Sequence, residues 1–216
     1  MFPDPAQASP EGLLAIGGDL TVSTLLAAYR QGIFPWYGPE QPILWWTPDP
    51  RCVLFPEHFH ISRSLGKRLR SARFQVSADR AFTEVISACA RTRLDAGEST
   101  WISAEMHAAY VQLHELGYAH SIETWQDERL VGGLYGVSLG SVFFGESMFS
   151  LEPDASKVAM AHLVTKLRAQ HVRLIDCQVY SPHLASLGAE EIPRTQFQQL
   201  LAAAVSDPDH LDRWNL

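Results

Sequence analysis

Three β-rich runs, AHSIETWQ, RLVGGLYGV and GSVFFGESMF, follow one another with only the turn-like DE and SLG between them. Links that short leave no room for a crossover, so the runs pair as an antiparallel meander. Helical periods flank it on both sides. Upstream, Ser62 is placed to cap a helix carrying RSLGKRLRSA, with Leu65, Leu69 and Ala72 on one stripe. A second helix, around Ala81 to Arg91, buries Phe82, Val85, Ile86 and Cys89. A third runs from about Ser103 to Leu116, carries Met106, Tyr110 and Leu113, and stops at Gly117. Downstream come a helix from Ala155 to Gln170, the strand RLIDCQV, a short helical piece near Leu184 and a last helix from about Thr195 to Val205. Helices, hairpins and then strand–helix–strand describe an α+β domain around a mixed, largely antiparallel sheet.

The start of the chain obeys other rules. Pro35, Pro39, Pro42, Pro48 and Pro50 punctuate GIFPWYGPEQPILWWTPDPR, so only short elements fit between them. One helix precedes that stretch, with Leu25, Leu26 and Tyr29 at helical spacing and Gly32 to end it. A small N-terminal domain over residues 1–58 and a larger one over 59–216 are therefore expected. The chain has 216 residues, 46% of them hydrophobic, which suffices for a sizeable core. Its apolar runs, such as LVGGLYGV, fall far short of the roughly 20 residues of a bilayer span, and MFPDPAQASPEG has no signal-peptide pattern. A cytoplasmic protein with no membrane partner is expected. Cys52, Cys89 and Cys177 are scattered and odd in number, which predicts reduced thiols rather than a disulfide framework or a thiolate metal site.

Polar residues in apolar surroundings mark the candidate chemistry. Asp176 and Gln178 stand two apart on the RLIDCQV strand, so their side chains are expected on one face. A carboxylate there stays ionised only if paired or hydrogen-bonded. Backbone amides or an arginine such as Arg194 are candidate partners. Glu146 in GESMFS raises the same question, and the adaptable Met148 beside it suits the wall of a pocket or of an ordinary core. Arg63, Lys67 and Arg70 form a basic stripe with no acid between Ser62 and Val76, which fits either phosphate binding or a solvated helix face. A net charge of -7 argues against nucleic acid as a whole, but local potential decides. Trp36, Trp45, Trp46 and Trp101 suit stacking or junction packing. His58 and His60 lack a third metal ligand at recognisable spacing, and no Walker loop, G-x-S-x-G or G-x-G-x-x-G occurs. No metal is expected.

Taken together, GLLAIGGDLT, AYRQGIFPWY, PILWWTPDPR, HISRSL, TWI, GYAHSIE, LVGGLYGV, GESMFS, ASKVAM, LIDCQ and HLASLGAEEIPR resemble the bacterial leucyl/phenylalanyl-tRNA–protein transferases in order and over nearly the whole chain. The resemblance implies transfer of Leu or Phe from aminoacyl-tRNA to the N-terminal amine of proteins beginning with Arg or Lys, with no cofactor. It also implies an acyl-CoA N-acyltransferase-like (GNAT-like) larger domain. SMFSLEPDASK lacks the glycine-rich pyrophosphate turn of CoA-dependent members, which disfavours the alternative of an N-acetyltransferase. A non-enzymatic aminoacyl-tRNA-binding module is the other alternative. On this resemblance, Asp176 polarises Gln178, whose side-chain oxygen accepts from the attacking amine. Glu146 holds the donor or the cationic acceptor. Leu134, Phe143, Met148 and Ile175 line the donor pocket, Trp36 and Trp101 lie near the terminal adenosine, and Arg63, Lys67 and Arg70 grip the tRNA backbone. Asp176→Ala is then expected to abolish transfer and leave the protein folded.

Overall fold

Short strands and one helix are what the proline-rich start allows. The computed structural model describes residues 1–71, 73–97, 99–209 and 214–215. In it β1 (Leu13–Ile16) is followed by α1 (Val22–Tyr29), whose cap Thr21 accepts from the Thr24 N–H, and by β2 (Phe34–Pro35) and β3 (Leu44–Trp46). These strands form a small antiparallel sheet in the order β1-β3-β2.

The rest of the chain supplies β4 (Arg51–Leu54), α2 (Arg63–Arg70), β5 (Gln75–Ala78), α3 (Phe82–Asp95), α4 (Ala104–Glu115), β6 (Ala119–Gln126), β7 (Arg129–Leu139) and β8 (Val142–Ser150). It ends with α5 (Ala155–Ala169), β9 (Leu174–Gln178), α6 (Pro182–Ser186), β10 (Glu190–Ile192) and α7 (Arg194–Ala204). The expected meander is β6-β7-β8, and Ser62 caps α2 by accepting from the Leu65 N–H at 3.2 Å. Ala72, read with Leu65 and Leu69 as one stripe, lies outside the described residues.

The large sheet runs β10-β4-β9-β8-β7-β6-β5 and is antiparallel except for the pair β8–β9, which the α5 crossover makes parallel. Mixed sheet, meander, helix and return strand together give the α+β architecture that the sequence implies. β4 falls inside the segment 1–58, yet it belongs to this second sheet, next to its edge strand, between β10 and β9. Its four residues are all buried, so it pairs on both edges instead of joining the small sheet.

Alternate residues of the large sheet feed two cores. Val137, Phe144 and Leu174 pack with α1, α3, α4 and α7, and the small sheet shares that core through Phe34 and Trp45. Leu134, Phe143 and Ile175 pack beneath α5 on the other face. Two glycines of β7 make the approach possible. A Cβ at Gly132 would lie 2.5 Å from Cβ of Ala155 at the start of α5, and one at Gly136 would lie 2.6 Å from the Phe143 ring. No helix among the described residues is long and apolar enough to cross a membrane.

Candidate active site

β8 and β9 run in register through Phe144 and Asp176 and pair no further. Each strand bulges close to that point. On β8, Gly145 faces Gly136 and Ser147 faces Tyr135, which leaves Glu146 as the extra residue. On β9, Gln178 faces Cys52 and Asp176 faces Val53, which leaves Cys177 as the extra one. Bulges re-aim side chains and end pairing. Here they part the two strands, and a cavity of about 330 Å³ lies between residues 145–148 of one and 177–179 of the other. Its volume is at the lower end of the range for small-molecule sites.

The cavity gathers most of the candidate residues. Leu134, Phe143, Met148 and Ile175 form its apolar wall together with Met160 and Leu163 of α5, and Trp36 and Trp101 also line it. Trp36 is 47% exposed, so much of its ring is available to a partner. Glu146 and Gln178 stand on the same wall. Phe143 is backed from outside the cavity by Trp214, 5.7 Å away between ring centroids, and Trp214 itself stacks on His120.

Glu146 is the hub of the polar groups. Its Oε1 accepts from the Tyr29 hydroxyl and from Nε2 of Gln178, both at 2.8 Å, and its Oε2 accepts from the Tyr110 hydroxyl at 2.9 Å. The two tyrosine hydroxyls also touch each other. Burial pushes the Glu146 carboxyl up to about 7, against the two phenol hydrogen bonds that favour its ionised form. Burial likewise raises both phenols well above the usual tyrosine range, so they stay protonated and able to donate. A carboxylate only accepts, so Gln178 must turn its NH₂ to Glu146, which leaves the amide oxygen as its unused acceptor.

Asp176 takes a different place from the expected one. It is fully buried, is absent from the cavity wall, and forms a two-pronged ion pair with Arg51: Nε to Oδ1 at 2.8 Å and Nη2 to Oδ2 at 2.6 Å. The guanidinium lies between the rings of Phe34 and Phe197, at 4.8 and 4.6 Å from their centroids. The Asp176 link to Gln178 runs through the main chain, because Oδ1 accepts the Gln178 backbone N–H at 2.9 Å. The bulge at Cys177 and the positive φ of Gln178, +64°, break the strand alternation that sequence spacing assumes. Arg194, named above as a partner for Asp176, instead donates to the Thr47 carbonyl at 2.7 Å and, from its backbone, to Asp49 at 3.0 Å. A charged residue opening the apolar strand RCVLF was the available sign of Arg51. Tyr29 and Tyr110 were legible only as apolar helix positions, although a buried phenol needs a partner.

The basic stripe lies elsewhere. Arg63, Lys67 and Arg70 are exposed on α2, off the cavity wall and without an ion pair among the described residues. Arg68 of the same helix is the one that pairs, with Asp154 at 3.6 Å. No group of three or more His, Cys, Asp or Glu side chains among the described residues is arranged to hold a metal ion.

Known proteins share this sequence closely. The leucyl/phenylalanyl-tRNA protein transferase profile matches residues 53–202, and the profile of that family's N-terminal domain matches 18–49. A leucyl/phenylalanyl-tRNA–protein transferase of Chromohalobacter salexigens is 62% identical over 205 residues, 95% of this chain and 80% of that protein. One from Anaeromyxobacter sp. is 56% identical over 215 residues, 100% of this chain and 92% of that one. Among solved structures, a predicted acetyltransferase with acetyl-CoA from Clostridium acetobutylicum is similar at 12% identity over 51% of this chain and 82% of that chain, with a TM-score of 0.42. With two profiles in tandem and relatives matched almost end to end, the chain belongs to the leucyl/phenylalanyl-tRNA–protein transferase family.

Proposed function

We propose that the protein moves Leu or Phe, and also Met, from the 3′ end of aminoacyl-tRNA to the N-terminal α-amine of proteins beginning with Arg or Lys, marking them for N-end-rule degradation in the cytoplasm. The observation that carries this reading is a single cavity whose apolar walls end on the paired side chains of Gln178 and Glu146. Family membership and the names of the relatives support it.

The reaction is aminolysis of an ester. The amine nitrogen bonds to the ester carbonyl carbon, the tetrahedral intermediate expels the ribose oxygen, and the amine proton leaves with that hydroxyl. The ester supplies the driving force, so neither ATP nor CoA is needed. An α-amine with a pKa of about 7.7–8.0 is already partly neutral, so a weak acceptor suffices. Holding amine and carbonyl in contact supplies on the order of 7–11 kcal/mol. In this scheme the Gln178 amide oxygen receives a hydrogen bond from the attacking amine, Glu146 fixes the amide through its NH₂, and Asp176 with Arg51 fixes the backbone beneath. The side chain of the donor sits against Leu134, Phe143, Met148 and Ile175. Leu and Phe are unbranched at Cβ, and a slot narrow there rejects Ile and Val, by about 1–3 kcal/mol per misplaced methyl group. Trp36 and Trp101, which line the same cavity, meet the terminal adenosine in this scheme.

Glu146 gives the rate a pH dependence. Its ionised form accepts from Gln178 and so holds the amide in the working orientation. With the carboxyl raised to about 7, kcat rises as pH increases through about 7. Glu146→Gln is expected to remove that inflection and lower the plateau; an inflection that persists in the variant assigns it to another group.

Arg63, Lys67 and Arg70 serve the tRNA backbone in this account. Arg63→Ala or Lys67→Ala weakens binding of any tRNA and reduces the slope of log K against log salt by roughly 1 for each phosphate no longer neutralised. An unchanged slope returns the stripe to the role of a solvated face.

The test of the whole reading is incubation with labelled Leu-tRNA and a peptide starting with Arg, without CoA or ATP. Label is expected in the peptide and not in one starting with Glu; label from acetyl-CoA in place of leucine would overturn the assignment.

A further inference from the structure

The bulge on β9 does more than part the strands. Because Cys177 and Gln178 together oppose Cys52, the side chain of Cys177 stands across the strand pair from that of Cys52. Arg51 and Val53 turn to the opposite face, toward Asp176 and the first core, while Leu54 shares the Cys52 side with Ile175. The Cys177 S–H points to the Ile175 carbonyl oxygen at 4.0 Å, and the two thiols are near enough for each to perturb the other's ionisation. Cys177 lines the cavity beside Gln178 and is reachable from it, whereas Cys52 is fully buried. Antiparallel neighbours hold their Cα atoms about 4.5–5.5 Å apart, inside the roughly 4.4–6.8 Å that a disulfide spans.

We propose that Cys52 and Cys177 form a reversible disulfide under peroxide stress and that its formation shuts the site. The pair's thiolate attacks one peroxide oxygen, the O–O bond breaks, and hydroxide leaves as water with a proton, giving a sulfenic acid. The partner thiol then displaces the sulfenic oxygen as a second water and closes the S–S bond. Two thiols and one peroxide become one disulfide and two waters. Closing the bond brings the sulfurs to about 2.05 Å. That draws Cys177 toward β4 and carries the adjacent Gln178 away from Glu146. Cys89, the remaining cysteine, is buried in the other core with its thiol pushed up to about 12, and takes no part.

The inhibition rests on the aminoacyl-transfer reading; the disulfide does not. Full-length protein is treated with hydrogen peroxide, its free thiols are alkylated, and its peptides are mapped by mass spectrometry alongside the transfer assay. A linked pair of peptides containing Cys52 and Cys177, a loss of transfer of tenfold or more and recovery in dithiothreitol are expected. Cys52→Ser, and Cys52→Ala as a second variant, keep basal transfer and resist peroxide. Alkylation of both cysteines after peroxide treatment, or a linked pair with full transfer, overturns the proposal. Protein that forms the link but shows no transfer before oxidation fails the functional reading and leaves the disulfide standing.

Discussion

Replacing Asp176 by Ala is expected to cost about 3–5 kcal/mol of stability, since removing one partner of a buried pair strands the other charge. Arg51 is 1% exposed and wedged between two phenyl rings, so it cannot turn to water. Against a typical total of about 5–15 kcal/mol, that loss brings the fold near its limit. The sequence alone leads one to expect a folded variant; the ion pair adds that it is less stable than the parent. The double variant Arg51→Met with Asp176→Leu removes both charges and should recover most of the urea midpoint. It should not recover transfer, because the Gln178 N–H loses its acceptor. A wild-type midpoint for Asp176→Ala would contradict the ion pair's structural role.

Gln178→Ala produces the opposite separation. The side chain is half-buried at the cavity wall and holds no charge, so the unfolding midpoint is expected to move little. Transfer should fall by about 10²–10⁴ in kcat, the range for loss of a positioned proton acceptor. KM for aminoacyl-tRNA should stay close to that of the parent, since the apolar wall and the exposed helix α2 are untouched. Residual transfer is expected, because proximity in the cavity survives.

The meander was legible because alternation and short turns are local signals, and α5 with β9 followed from a change of period. β4 was not. Its four residues are hemmed in by prolines, and its place beside β9 depends on pairing across more than a hundred residues, which no period records. The same distance hid the partner of Asp176, 125 positions away at Arg51, while Arg194 lay nearer in sequence and misled. Same-face spacing for Asp176 and Gln178 failed at the bulge on Cys177 and the positive φ of Gln178 that follows it. The wall of the cavity came from family resemblance, and the structure brings those residues together. Tyr29 and Tyr110 stayed hidden because the apolar ring satisfies the helical pattern, and the hydroxyl matters only when Glu146 arrives from another element.

The central claim is that Gln178, held by Glu146, receives the hydrogen bond from the attacking amine. A single-turnover assay with enzyme in excess over labelled Leu-tRNA, and an Arg-starting peptide at saturation, isolates that step from product release. The claim requires Gln178→Ala to slow label transfer at least a hundredfold at unchanged tRNA affinity. Transfer at the parent's rate by the folded variant would contradict it.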